Sequence, residues 1–169
     1  LVQSPTRRLI TFDKLGETEK KADSGVLPES YERLKWINAW YMHEQWVKTN
    51  HAQSGWQNAY TNGHTCVAFN GKGSPMSISS GRRQTETFTL IALEATAAWL
   101  DDLNVKITGR RLGQALYTTT AVLQFDQSRV FNFDWKDIDE IQFVPTSGRP
   151  HQGVNYTDTY FALTWILLS

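Results

Sequence analysis

Residues 28–48, PESYERLKWINAWYMHEQWVK, decide the fold, because they can be read as a helix or as a strand. Pro28 can open a first helical turn, and Trp36, Trp40 and His43 recur at i, i+4 and i+7. The same stretch also alternates, with Trp36, Asn38 and Trp40 on one side and Ile37, Ala39 and Tyr41 on the other. Length favours the helix; the β propensity of Trp, Ile and Tyr in WINAWY favours the strand. Periodicity alone leaves both open.

The rest of the chain reads as strands. RRLITFD, TCVAFN, MSISS, ETFTLIALEA, LNVKITGR, QALYTTTAVLQF, RVFNFD, IDEIQFV and TYFALTWILL are rich in β-branched or aromatic residues and bounded by Gly, Pro, Asn, Asp or Ser. The alternation of QALYTTTAVLQF breaks step near Val122, which predicts a bulge or a sheet edge there. About ten such segments at close spacing predict an all-β antiparallel sandwich or barrel occupying residues 1–169 as a single domain. Long connections fall at 14–30 and 145–158, and loops of that length are often functional.

Composition narrows the function. Seventeen Lys and Arg balance seventeen Asp and Glu, so no excess positive charge exists to collect a nucleic acid backbone. The basic pairs Arg7-Arg8, Arg82-Arg83 and Arg110-Arg111 read as solvated turns or strand ends. No apolar run reaches the ~20 residues of a membrane span. The lone Cys66 excludes an internal disulfide and reads as a small buried hydrophobe. The chain opens at LVQSPTRR without an initiator Met or a signal peptide, which fits a processed mature chain or a trimmed one. NYT at Asn155 is a glycosylation sequon compatible with secretion.

The order of short motifs resembles a family of secreted β-sandwich domains that run TFDDL, IP-x-GY-x-GL-x-W, NVAFN-x-G, LTAAW-x-x-GL-x-V-x-V-x-G and F-x-LDNL. The counterparts are ITFDKL at 10–15, VLPESYERLKWIN at 26–38, CVAFNGKGSP at 66–75, EATAAWLDDLNVKITGRRLGQALYTTT at 94–120, FNFDWKDIDEIQF at 131–143 and YFALTWILL at 160–168. The family is similar to galactose-binding-like jelly rolls, widely used as carbohydrate-binding modules. The resemblance implies a two-sheet jelly-roll sandwich, a strand through KWINAWY, a secreted location and a carbohydrate ligand. It also implies a structural calcium near Asp13 and the closing LDNL. Here Lys14 follows Asp13 and Thr164-Trp165 replace the closing Asp-Asn, so no calcium is expected, since that ion needs six to eight oxygen ligands.

Seven Trp provide the aromatic platforms on which sugars stack. Trp36, Trp99 and Trp165 fall in strand patterns and read as core, and Trp135 reads as a turn residue covering a sheet end. The window 41–64, YMHEQWVKTNHAQSGWQNAYTNGH, interleaves aromatic with amide and imidazole groups. The expected ligand-binding residues are therefore Trp40, Tyr41, His43, Trp46, Trp56, Gln57, Asn58 and Tyr60. Spacings of eight and thirteen between His43, His51 and His64 match no zinc pattern, so neither metal nor cofactor is expected. Glu44, Asp101, Asp102, Asp134, Asp137 and Asp139 can be paired in many ways, most of them lie in charged turns, and no spacing nominates a catalytic triad. The expectation is a non-catalytic domain that binds a carbohydrate or cell-surface glycan. Its rivals are a protein-interaction or self-associating domain, and a jelly-roll hydrolase or lyase.

Overall fold

The computed structural model describes residues 6–16, 24–81 and 86–169; Arg82-Arg83 and residues 17–23 of the first long connection lie outside them. Twelve strands form in chain order: β1 (Arg8–Thr11), β2 (Ser24–Val26), β3 (Leu34–Ile37), β4 (Ala39–His43), β5 (Cys66–Asn70), β6 (Met76–Ser80), β7 (Phe88–Ala97), β8 (Leu100–Arg111), β9 (Gln114–Leu123), β10 (Arg129–Ile138), β11 (Glu140–Pro150) and β12 (Phe161–Leu168). The seven-stranded sheet runs β10-β7-β12-β5-β4-β2, with β1 joining β12 beyond β5; the five-stranded sheet runs β3-β6-β11-β8-β9. Every pairing is antiparallel. The architecture is an antiparallel two-sheet β-sandwich of jelly-roll type.

The deciding segment is strand, but two strands rather than one. Asn38 takes a left-handed φ of 56°, a conformation that Asn tolerates better than most residues. Its amide donates to the carbonyls of Gly71 and Pro75. The chain thereby leaves the five-stranded sheet at Ile37 and enters the seven-stranded sheet at Ala39. Trp36 points inward against Phe12 and Tyr31, and its indole N–H donates to the Tyr31 carbonyl at 2.8 Å. The helix in this region is short: α1 (Glu44–Asn50), capped by His43 Nδ1, which accepts from the Gln45 N–H at 3.1 Å.

One reading needs correction. Trp135 is not a turn residue: it lies within β10, its ring parallel to that of Tyr117 at 5.5 Å. Of the two alternatives near Val122 the structure has the edge: β9 is an edge strand whose register runs unbroken through Val122, and the irregularity falls at Gly109/Arg110 on its partner. Cys66, read from the sequence as a small buried hydrophobe, is fully buried, and its thiol is pushed up to about 12 by burial and by the nearby Asp13 charge.

The seven-stranded sheet is covered on both faces. Phe161 meets Phe143 of the other sheet at 5.8 Å, so Phe161 and Leu163 face inward, and the alternate residues Ala162 and Thr164 face outward. Register places Thr96, Phe69 and Trp40 on that outer face with Ala162. Residues 44–65 lie across it. The Thr164 hydroxyl donates to the Ala59 carbonyl at 2.6 Å, and Glu94 accepts from the hydroxyls of Thr61 and Ser128. Trp56 fills the space beneath and is 2% exposed.

Asp13 ties β1 to β5. Its carboxylate accepts from the Thr65 and Cys66 N–H groups and lies 2.8 Å from His64 Nδ1. Burial would raise its pKa, but those hydrogen bonds and the imidazole charge outweigh burial and lower it beneath the ordinary 3.8. Its folded value being the lower one, Asp13 contributes stability that is complete above 3.8 and lost as pH falls through the folded value. Urea midpoints should therefore fall more steeply below pH 3.8 for the wild type than for Asp13→Asn; parallel curves would refute this role. The same bonds bear on calcium. Both Asp13 oxygens are occupied by N–H donors and Thr164 is committed to Ala59 on the outer face, so these residues do not fit that ion.

Candidate functional site

Residues 98–99, the tight turn between β7 and β8, gather three distant segments through the backbone. Ala98 accepts from Gly55 N–H at 2.8 Å and donates to the Tyr160 carbonyl, and Trp99 accepts from His151 N–H. Gly55 is required there, because a Cβ would collide with the Ala97 carbonyl oxygen. The turn thus binds the covering segment to both ends of the 151–160 connection.

A cleft of about 340 Å³ opens at this junction, lined by Met42, His51, Trp56, Phe69, Trp99, Tyr156, Asp158 and Tyr160. That volume is at the small end of ligand sites. Tyr156, 52% exposed, lies over Trp99 with ring centres 4.4 Å apart. His51 meets the edge of Trp99 at 5.3 Å; Trp56, Phe69 and Tyr160 form a mutually packed wall at 5.1–6.0 Å. Burial alone lowers the His51 pKa, so its ring is neutral at pH 7. Burial and the Asp158 charge raise that of the Tyr160 hydroxyl, which stays protonated and able to donate.

A polar cluster adjoins the cleft. The His151 ring stacks on Phe125, with centres 3.9 Å apart and planes 3° from parallel. Its Nδ1 lies 2.8 Å from Asp101 Oδ1 and its Nε2 lies 3.7 Å from Asp126 Oδ1. Asp102 accepts from Gln124 and Arg149, which hold its pKa below the usual carboxylate range. Among the described residues, Asp101, Asp126 and His151 are the group whose ligand atoms approach closely enough for a metal. Nδ1 is engaged by Asp101 at 2.8 Å and Asp126 is exposed, and exposed acidic groups of this kind are common without a metal.

The eight expected ligand residues do not come together. Only Trp56 reaches the cleft, as a buried wall rather than the exposed platform expected of it. Tyr41 is buried on the inward face, and Trp40 is half-buried beside Phe69. His43 caps α1, and Trp46, 38% exposed, projects from that helix. Gln57 is half-buried in the Gly55–Ala59 turn; Asn58 donates to the Phe125 carbonyl and Tyr60 to the Met42 carbonyl. The sequence reading missed Trp99, Tyr156, Asp158 and Tyr160. Its available signal was the unusual length of the 145–158 connection.

No family model matches the chain, and no curated protein matches it in sequence. Among solved structures it is similar to a DUF4465 family protein from Bacteroides caccae, 12% identical, over 98% of this chain and 99% of that one, with a TM-score of 0.65. A DUF4465 family protein from Bacteroides ovatus is likewise 12% identical, over 99% and 95%, with a TM-score of 0.50. The family 32 carbohydrate-binding module of C. perfringens NanJ, solved with galactose, is 12% identical over 86% and 99%, with a TM-score of 0.42. The likeness extends to the β-sandwich fold. Among the described residues, no helix is long and apolar enough to cross a membrane.

Proposed function

We propose that the chain is a non-catalytic secreted domain that binds carbohydrate in the cleft between His51, Trp99, Tyr156, Asp158 and Tyr160. The observation that carries this reading is the pairing of aromatic surface with polar groups not consumed by the fold. Among the described residues, neither the His51 ring nor the Tyr160 hydroxyl makes a side-chain hydrogen bond, and both residues line the cleft. By contrast, Asn58, an amide favoured from sequence, is spent on the Phe125 carbonyl. Tyr156 offers an exposed ring for the apolar face of a pyranose, while imidazole, hydroxyl and carboxylate meet its hydroxyls.

Tyr156→Ala tests the reading with little risk to the fold, because the ring is half in solvent. Loss of one stacking ring should cost about 1–3 kcal/mol, taking stacking on nucleobases as the guide, or roughly five- to 150-fold in affinity. A glycan array followed by calorimetry on the best binder reads this directly. Trp46→Ala, altered on α1 away from the cleft, should bind as the wild type does. A wild type that binds no glycan, or a Tyr156→Ala variant that binds undiminished, overturns the assignment.

A further inference from the structure

Asp158 gives the cleft a charge as well as a shape. It is exposed between Tyr156 and Tyr160, and its field is felt at the Tyr160 hydroxyl. The other carboxylates of this end have partners: Asp102 has Arg149, while Asp101 and Asp126 flank His151. Among the described residues, no ion pair reaches Asp158. Among the described residues, the other titratable groups on the cleft wall are His51, which burial keeps neutral at pH 7, and the hydroxyls of Tyr156 and Tyr160, so none brings a positive charge to Asp158. One unpaired negative charge therefore stands over a wall of Trp56, Phe69, Trp99, Tyr156 and Tyr160. The π faces of such rings attract cations as well as sugars.

We infer that this cleft selects a ligand bearing an ammonium group, and specifically a free-amine hexosamine over its N-acetylated form. The inference rests on the carbohydrate reading and narrows it. A cation seated beside Asp158 supplies the missing counter-charge, and the neighbouring ring faces add a cation–π attraction. An N-acetyl group offers the same carboxylate only a neutral N–H.

The test compares free-amine and N-acetylated glucosamine oligosaccharides of equal length by calorimetry, with the wild type and Asp158→Asn, in buffer near pH 6.5. Burial disfavours charge on His51 there, and an amine that titrates like an α-amino group is largely protonated. The wild type should bind the free-amine form at least tenfold more tightly. Asp158→Asn should weaken the free-amine ligand at least tenfold more than the N-acetylated one, and so abolish that preference. Tetramethylammonium chloride should compete for the wild-type site where sodium chloride at equal ionic strength does not. Equal affinities in the wild type, or an undiminished preference in Asp158→Asn, overturn the inference. Should neutral sugars bind and Tyr156→Ala abolish that binding without any free-amine preference, the inference fails and the carbohydrate reading stands. Should no sugar of either kind bind, both fail.

Discussion

Trp56→Ala is expected to lower the free energy of unfolding by about 3–5 kcal/mol, the range seen when a buried Trp or Phe is truncated in a packed core. The ring is 2% exposed and stands edge-on to Phe69 at 5.1 Å, with Tyr160 at 6.0 Å. Little can collapse into the space it leaves. The backbone on one side is fixed by the Gly55 to Ala98 hydrogen bond, and the sheet beneath is fixed by its ladder. Urea denaturation should show a lower midpoint with an unchanged slope. Trp46→Ala, on the exposed face of α1, should stay within about 0.5 kcal/mol of the wild type. Similar losses for the two variants would mean that residues 44–65 are not a packed layer. A Trp56→Ala protein that also loses affinity would identify this ring as a wall of the cleft, while one that loses only stability would leave recognition to Trp99 and Tyr156.

The contrast between these two tryptophans shows where sequence reading reaches its limit. Alternation along each strand reveals which residues share a face, and the strand pattern placed Trp36 in the core, where it lies. It does not reveal whether an outward face meets water or a second layer. The window 41–64 is rich in Gln, Asn and His and reads as a ligand-binding surface, yet its covering part from residue 44 onward packs on Met42 and Phe69 and buries Val47, Trp56 and Ala59. The helix-or-strand ambiguity of WINAW came from a similar blindness. One left-handed Asn38 divides the segment between two sheets, and no propensity scale shows that. The cleft was hidden for a different reason. His51, Trp99 and Tyr156 are about fifty residues apart from one to the next, joined only through backbone bonds to a two-residue turn. The length of the 145–158 connection was the visible trace, and the Trp99 that reads as core is indeed mostly buried, by Tyr156.

Asn70→Ala should cost about 3 kcal/mol and abolish ligand binding, although Asn70 does not line the cleft. This residue, the last of the CVAFN motif, is fully buried and uses its whole side chain. Its amide donates to the Ser74 and Thr159 carbonyls at 3.0 and 3.1 Å, and its Oδ1 accepts the Phe161 N–H at 2.8 Å. Alanine leaves the Phe161 N–H and the Thr159 carbonyl without that partner, each at about 1–3 kcal/mol when buried. Phe161 begins β12, and the residues just before it are Tyr156, Asp158 and Tyr160, so Asn70 fixes the strap that carries half of the proposed site. The Thr159 hydroxyl reinforces the same join by donating to the Gly73 carbonyl at 2.7 Å. Local loosening should precede global unfolding. Hydrogen exchange at the Phe161 amide should accelerate by more than the global loss of stability accounts for, while the β8 and β11 amides keep pace with that loss. A purely structural Asn70 would slow or speed all these amides together. Wild-type affinity in Asn70→Ala, with Phe161 still protected, would show that the strap holds its place without this side chain.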